Sequence, residues 1–270
     1  HSIHGRAPTI ATGLKLTRPD LSVWVITGDG DALSIGGNHF IHLLRRNVDL
    51  NIILFNNEIY GLTKGQFSPT SLIGQKTKSS PYGNTQPPFS PGELALGAQA
   101  RFFARIAGNS PKEMGQIFIE AHQFKGTSLI EVLQNCVIFN DGCFDHVTDK
   151  EVKEDKQIFL EHGKPMLFGK NRDKGLLLKG LKLEIVTIGE NGITQEDILV
   201  HNAKEQDSPA ESNRNTPSLC NQARGGDKTL PKTLNPVWVE WLMGWPIGWT
   251  DLQPLATDKY QSWLQQIGRA

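Results

Sequence analysis

Two polar clusters in the sequence have the residue types of a magnesium and diphosphate site. Gly28-Asp29-Gly30 follows one apolar run of β-formers and Asn56-Asn57 follows the next, so that Asn57 comes 28 positions after Asp29. Mg²⁺ prefers about six oxygen ligands, and this pair offers a carboxylate and an amide oxygen. The glycines let backbone N–H groups approach a diphosphate. Each cluster alone is also an ordinary turn or strand end, so only their pairing predicts the site.

The segments around the two clusters predict a strand–loop–helix–strand unit. Residues 22–27 and 51–55 are short apolar runs, typical of strands that are buried on both faces of a parallel sheet. Between them, residues 34–46 have apolar positions at helical spacing, and a helix starting near Ser34 would point its positive end at the same anion. Such sheets bind ligands at the carboxyl ends of their strands. The predicted fold class is therefore α/β, with a mostly parallel sheet flanked by helices.

The rest of the chain gives coarser predictions. Residues 60–92 are rich in Gly, Pro, Ser and Thr, and a loop of this length is usually functional or disordered. A helix is predicted near residues 5–16, and the remaining predictions are helices at 93–107, 111–124 and 194–200 and strands at 128–133 and 181–188.

The C-terminal part has a different character from the rest. We divide the chain into a domain over 1–204, a poorly ordered polar linker over 205–234 and a short tail over 235–270. The tail holds five of the six tryptophans, which suggests a separate origin.

Composition excludes several classes of partner. The 28 basic and 28 acidic residues cancel, so no global field favours nucleic acid or an anionic membrane. The longest apolar runs are far too short to span a bilayer. Three cysteines cannot form a disulfide framework, which fits a reducing compartment. We therefore expect a cytoplasmic protein that has neither a membrane nor a nucleic-acid partner.

Three segments resemble the β subunits of 2-oxoacid:ferredoxin oxidoreductases, which bind thiamine diphosphate. They are residues 28–39 (GDGDALSIGGNH), residues 56–66 (NNEIYGLTKGQ) with the Ser-Pro-Thr that follows at 68–70, and a His-Gly-Arg sequence at 4–6. The likeness is to the 2-oxoglutarate type, and it extends from His1 to about Asn202. It implies the thiamine-diphosphate-binding fold. Because the chain opens at His1 without an initiator Met, we also expect the N-terminal part of this domain to be missing.

The resemblance implies roles for single residues. Mg²⁺ would be held by Asp29, the side chain of Asn57 and the backbone carbonyl of Ile59. Lys64 would grip a substrate carboxylate or, equally, be a solvated loop lysine. His4 would assist proton transfer or bind the substrate, with a structural role as the alternative. The residues expected to line the cofactor are Gly28, Asp29, Gly30, Asp31, Gly61, Leu62 and Thr63.

The activity implied by the resemblance is the oxidative decarboxylation of a 2-oxoacid. The best candidate substrate is 2-oxoglutarate, converted to its acyl-CoA with ferredoxin as the electron acceptor, while thiamine diphosphate supplies the electron sink. In this family an α subunit completes the enzyme, so an α subunit, ferredoxin, the 2-oxoacid and coenzyme A are the implied partners. The chain alone is expected to be inactive.

Cys136 has two interpretations. A lone cysteine after a buried strand is usually a core residue, but this one resembles a distal ligand of the family's 4Fe–4S cluster. A cluster needs about four thiolates, so the ligand set in this chain would be incomplete. The spacing of Cys136, Cys143 and His146 is not that of a usual zinc site.

Three other functions remain open at this point. The chain would be a non-catalytic remnant if its motifs survive without turnover, or an ordinary thiamine-diphosphate decarboxylase or synthase. A DNA-modifying role would rest on residues 235–250, which resemble the C-terminal end of phage-type DNA cytosine methyltransferases. The catalytic cysteine loop and cofactor glycines of those enzymes are not found in the sequence, so we expect no methyl transfer.

Overall fold

A computed structural model of the chain describes residues 3–180 and 182–202. The helices are α1 (Ala7–Thr17), α2 (Asp29–Leu33), α3 (Gly37–Arg46), α4 (Pro91–Gly97), α5 (Pro111–Gln123), α6 (Asp145–Thr148) and α7 (Lys153–Lys156). The strands are β1 (Trp24–Gly28), β2 (Leu50–Asn56), β3 (Phe102–Ala107), β4 (Thr127–Leu133), β5 (Leu167–Phe168), β6 (Lys174–Lys179) and β7 (Lys182–Thr187). The predicted linker (205–234) and tail (235–270) lie outside the described residues.

The larger sheet is parallel throughout, which confirms the predicted fold class. Its strands lie in the order β1-β2-β4-β3, and every neighbouring pair runs in the same direction. The two central strands, β2 and β4, are almost wholly buried because helices cover both faces of the sheet. Within the described part of the chain, no helix has both the length and the apolar character needed to cross a membrane.

The two faces of the sheet have separate apolar cores. On one face, Phe40, Leu43 and Leu44 of α3 lie at i, i+3 and i+4 and are packed in one cluster with Ile52 and Leu54 of β2. The other face is covered by α5, which packs on alternate residues of β2, β3 and β4. The alternation of side chains along β2 therefore divides this strand between both cores.

The predicted helix over 93–107 is wrong after Gly97. The chain forms the short helix α4, leaves it at Gln99 with a positive φ of 61°, and then enters strand β3. The apolar residues of this segment fit a helical period as well as a strand, so local pattern could not separate the two. Pairing of β3, the edge strand, with β4 along its whole length decides the conformation, because the hydrogen bonds to β4 form only if this segment is extended.

The predicted helix over 34–46 forms as α3 but starts later, at Gly37, and a separate helix that was not predicted, α2, precedes it. The short helix α2 begins directly after β1 at Asp29, and Ser34 ends it rather than starting α3. Gly36 follows at a point where the segment before α1 approaches closely, with the Cα of Gly5 near its own. Helical structure after β1 therefore begins at Asp29, and not near Ser34 as the sequence indicated.

A second, antiparallel sheet follows the parallel one in sequence. Its order is β5-β6-β7, and β7 lies within the predicted strand 181–188, whereas β5 and β6 were not predicted. The predicted helix over 194–200 is wrong: only Gln195–Asp197 form a 3-10 turn. The chain then extends, because Leu199 exchanges backbone hydrogen bonds with Met166 and Leu176 of the sheet.

The tight contact at Gly36 gives a stability prediction. A Cβ on Gly36 would lie 2.4 Å from the backbone oxygen of Asp31, so Gly36→Ala must displace the junction between α2 and α3. We expect it to lower the free energy of unfolding by about 1–3 kcal/mol in urea denaturation followed by circular dichroism. Gly37→Ala is the matched control: a Cβ there meets nothing within 4 Å, and alanine is the better helix former. Equal stability of the two variants would contradict this account.

Candidate active site

The site is built at the carboxyl ends of β1 and β2. These strands pair in parallel with Gly28 opposite Phe55, so the next residue of each strand, Asp29 and Asn56, emerges at the same edge. Both side chains are buried, with 2% of Asp29 and 4% of Asn56 exposed. The parallel register therefore brings together the two clusters that the sequence separates by a helix.

Two hydroxyl groups hold the Asp29 carboxylate. Ser68 Oγ and Thr70 Oγ1 each lie 2.6 Å from Asp29 Oδ2, and Thr70 Oγ1 is also 3.0 Å from Asn56 Oδ1. Burial raises the pKa of Asp29, and the two hydroxyl hydrogen bonds act in the opposite direction. Thr70 thus joins the ends of both strands through one oxygen atom.

The turn after β2 carries the other candidate metal ligands. Asn57 Oδ1 accepts a hydrogen bond from the backbone N–H of Ile59 at 3.3 Å, and Asn56 Oδ1 accepts one from Glu58 at 3.2 Å. Glu58 has a positive φ of 55°, which turns the chain back toward the sheet. On its other side, the Asn57 carbonyl accepts a hydrogen bond from Asn140 Nδ2 at 3.0 Å. The turn is fixed from both sides.

Negative charge is concentrated around this turn. Burial raises the pKa of Glu58 to about 7, and the nearby carboxylates of Asp29 and Glu131 add to the effect. These three acidic side chains are close enough to disfavour one another's ionisation. A cation bound among them would offset that repulsion, so the turn favours a positively charged ligand.

Gly30 lies under the ring of Tyr60. The Tyr60 hydroxyl donates to the Gly30 carbonyl at 2.9 Å, and a Cβ on Gly30 would lie 2.2 Å from Tyr60 Cε1. Only glycine fits at this position without moving the ring. The tyrosine also ties the first turn of α2 to the loop that follows β2.

Asp31 contacts the start of α1. Its Oδ1 lies 2.6 Å from His4 Nδ1 and accepts the backbone N–H of Gly5 at 2.7 Å, while its Oδ2 accepts the Thr27 hydroxyl at 2.7 Å. The His4 side chain is 54% exposed. The carboxylate of Asp31 therefore holds the histidine and the backbone that leads into α1.

The predicted cofactor residues 61–63 and the predicted substrate residue Lys64 form an exposed turn. Lys64 N–H donates to the Gly61 carbonyl at 3.1 Å and Gly65 N–H to the Tyr60 carbonyl at 3.0 Å. Leu62 is fully exposed, and Lys64 has a positive φ of 68° with its side chain in solvent. This turn lies beside Gly30 through Tyr60, and the side chains of Leu62, Thr63 and Lys64 are exposed.

Asn84 stabilises the part of the loop over 71–86 through several hydrogen bonds. Its buried Nδ2 donates to the carbonyls of Ser71 at 2.9 Å and Gln86 at 3.0 Å, and its backbone N–H donates to Gln75. Ser71 in turn donates its hydroxyl to the Glu58 carbonyl. Residues 57–90 contain turns and isolated bridges in place of helices and strands, and these polar side chains give them their order.

The two described cysteines differ in their surroundings. Cys136 is half-buried in a turn that its carbonyl closes with Asn140 N–H at 2.9 Å. Burial raises the pKa of the Cys143 thiol to about 11, and the Glu58 carboxylate adds to the rise. Among the described residues, no group of three His, Cys, Asp or Glu side chains is arranged to hold a metal ion. These residues therefore do not supply a ligand set for a 4Fe–4S cluster.

Several polar residues of the site were not singled out from the sequence. Ser68 and Thr70 were noted only as part of the resemblance, and no role was predicted for Asn56, Glu131 or Asn84. One signal was available: Glu131 is a charged residue within an apolar strand, TSLIEVL, and such a residue must have partners if it is buried.

Comparison with known proteins extends these observations. Residues 1–132 match the family described as thiamine pyrophosphate enzyme, C-terminal TPP binding domain. The chain is 52% identical over 207 residues to the 2-oxoglutarate oxidoreductase subunit KorB of Mycobacterium tuberculosis, a match that covers 77% of this chain and 55% of that protein. It is 49% identical over 136 residues to the 2-oxoglutarate synthase subunit KorB of Archaeoglobus fulgidus, over 50% of this chain and 51% of that protein.

A solved structure gives a similar result. A 2-oxoglutarate:ferredoxin oxidoreductase from Magnetococcus marinus, with 2-oxoglutarate, coenzyme A and succinyl-CoA bound, has a TM-score of 0.51 and 40% identity to this chain. The match covers 52% of this chain and 48% of that one, and the chain spans about half the length of the curated relatives it matches. The parallel sheet and its helices therefore have the fold of the thiamine-pyrophosphate-binding domain.

The shifted thiol gives a prediction about reactivity. Because only the thiolate is nucleophilic, Cys143 in the folded chain is expected to react with iodoacetamide with a pH midpoint of about 11, against about 9 after unfolding in urea. At pH 9 alkylation should be at least about tenfold slower in the folded chain. Peptide mass spectrometry measures the rate at this site, with Cys143→Ser as the control for peptide assignment. A folded-state midpoint near 9 would rule out the proposed environment.

Proposed function

We propose that this chain is the thiamine-diphosphate-binding part of the β subunit of a 2-oxoacid:ferredoxin oxidoreductase that acts on 2-oxoglutarate. One observation carries the proposal: the buried Asp29 carboxylate, held by Ser68 and Thr70 beside the Asn57 turn. These residues lie in the segment that is similar to thiamine-pyrophosphate-binding domains and to 2-oxoglutarate oxidoreductase subunits.

Mg²⁺ is assigned to Asp29, the side chain of Asn57 and the carbonyl of Ile59. The donor set fits a hard divalent cation, since it consists of oxygen atoms and includes a carboxylate. The raised pKa of Glu58 supports the assignment, because a cation in this acidic cluster would relieve the repulsion among its carboxylates. Water and the cofactor's phosphate oxygens would complete the coordination.

The diphosphate is assigned to the first turn of α2 and to the loop at 61–63. Gly28, Asp29, Gly30 and Asp31 would contribute backbone N–H groups, and the Asp31 carboxylate stays with His4 and Gly5. Gly30 keeps this turn in contact with the Tyr60 ring, where a side chain would clash. When bound, thiamine diphosphate supplies the electron sink for decarboxylation. The chain's own residues would orient it.

His4 and Lys64 are assigned to the substrate. With Nδ1 of His4 held at 2.6 Å from Asp31, its Nε2 is the nitrogen that would hydrogen-bond the substrate or transfer a proton. Lys64 lies at the tip of an exposed turn, where its ammonium group would meet a carboxylate entering from outside. 2-Oxoglutarate carries two carboxylates and therefore suits a lysine at the mouth of the site.

The partners follow from the relatives. The Magnetococcus enzyme binds 2-oxoglutarate and coenzyme A, and its name states ferredoxin as a partner. We assign the same substrates and partner to this chain, together with an α subunit. Cys136 would be one of about four thiolates around a 4Fe–4S cluster, the others coming from outside the described residues. We assign no activity to residues 235–270.

Calorimetry of the 270-residue chain tests the proposal. We expect saturable binding of thiamine diphosphate that requires Mg²⁺, and Asp29→Ala should weaken it at least about 100-fold because it removes the only charged metal ligand proposed. Asp20→Ala is the matched control, since Asp20 is an exposed carboxylate paired with Arg18. Absence of binding in folded wild-type chain would overturn the proposal and favour a remnant that keeps the fold alone.

Enzyme kinetics test the role of Lys64. In the enzyme assembled with its α subunit, Lys64→Ala should raise the KM for 2-oxoglutarate about tenfold or more and leave thiamine diphosphate affinity unchanged. A 2-oxoacid without a second carboxylate, such as 2-oxobutyrate, should be affected less. Lys76→Ala removes another exposed loop lysine and should leave both KM values as they are. Unchanged preference between the two substrates in Lys64→Ala would eliminate this role.

A further inference from the structure

Glu131 is a charged residue in the apolar layer of the sheet. It lies in the middle of β4, opposite Leu54 of β2 and Arg105 of β3, and only 1% of it is exposed. One oxygen accepts a hydrogen bond from Asn56 Nδ2 at 2.8 Å and the other from Arg105 Nε at 2.7 Å. The arginine side chain is 45% exposed, so one end of this chain of contacts reaches solvent and the other reaches the candidate site.

Stability does not explain a carboxylate at this position. Burying a charge is costly, and the attraction to a half-exposed arginine recovers only part of that cost. Replacing a buried ion pair by apolar residues of similar volume is often neutral or stabilising, whereas polar groups that remain commonly fix one arrangement among several. The role of Glu131 therefore lies in its effect on the group that it binds.

That group is the Asn56 amide, which the contacts allow in one orientation. Its Nδ2 faces a carboxylate, which can only accept, while its Oδ1 faces the Glu58 N–H and the Thr70 hydroxyl. A flipped amide would place oxygen against the carboxylate and N–H groups against the Glu58 N–H. Without the carboxylate, nothing on the sheet side would select between the two orientations.

We propose that Glu131 is a positioning residue for the metal site: it fixes the Asn56 amide, and through it the turn that presents Asn57 and the Ile59 carbonyl. The oriented Oδ1 holds the Glu58 N–H, the first link of that turn, and lies 3.0 Å from Thr70, which also reaches Asp29. This inference rests on the proposed function for the identity of the ion. It does not rest on that function for the ordering of the turn.

Two measurements on the 270-residue chain test the role of Glu131. Amide hydrogen exchange of residues 57–60, without any cofactor, reports the turn, and a Mg²⁺ titration at saturating thiamine diphosphate reports the site. In Glu131→Leu we expect exchange of the Glu58 amide to rise, and Mg²⁺ affinity to fall, by about tenfold or more. Glu131→Gln should restore both values toward wild type, because its amide oxygen can still accept from Asn56 while Arg105 turns to solvent.

Ser128→Ala is the matched control. It removes another buried hydrogen bond between β4 and β2, from Ser128 Oγ to Asn51 Oδ1 at 2.6 Å, at the opposite end of the strands. It should lower thermal stability and leave the exchange of residues 57–60 and the Mg²⁺ affinity at wild-type values. Equal effects of Ser128→Ala and Glu131→Leu would mean that general destabilisation, not positioning, is responsible.

A double variant keeps the test valid if Glu131→Leu does not fold. Glu131→Leu with Arg105→Leu replaces the whole ion pair by apolar side chains, a change that usually preserves folding. We expect this double variant to fold and still to exchange the Glu58 amide rapidly. Wild-type exchange in it would overturn the proposal. Failure of wild-type chain to bind Mg²⁺ would reject the proposed function alone, because the exchange measurement would still decide the role of Glu131.

Discussion

The parallel register between β1 and β2 is the constraint on which the site depends. It sets Gly28 opposite Phe55, and the two residues that follow, Asp29 and Asn56, then share one edge of the sheet. Thr70 can reach both only because they are neighbours. A slip of one residue in this pairing would send one of the two side chains to the opposite face, so the core that fixes the register also fixes the chemistry.

The same edge concentrates groups that a stable core would exclude. Asp29 and Glu131 are buried acids, and the Glu58 carboxyl has a pKa of about 7. Asp29 and Glu131 are tolerated because they have specific partners: hydroxyl groups for Asp29, an amide and a guanidinium for Glu131. The apolar cores beneath α3 and α5, one on each face of the sheet, provide the stability that offsets the free-energy cost of burying these groups.

The sequence predicted the two strands that carry the candidate site more accurately than the elements around them. β1 and β2 are short apolar runs that end in conspicuous polar residues, so strands and site could be predicted together. β3 was mistaken for helix because its apolar spacing suits both conformations and only its pairing with β4 decides. The contacts of Ser68 and Thr70 with Asp29 span about 40 residues of sequence and are made by the loop after β2, and no local rule determines how such a loop folds back.

Asn84 has a consequence for the energetics of ligand binding. Through Ser71, Gln75 and Gln86 it closes the long segment after β2 on itself, and Ser71 connects that segment to Glu58. A flexible segment would lose conformational entropy when a ligand binds. Here that entropy has already been lost during folding. The binding free energy at this edge of the sheet therefore reflects the contacts made with the ligand, and little of it is lost in ordering the polypeptide around the ligand.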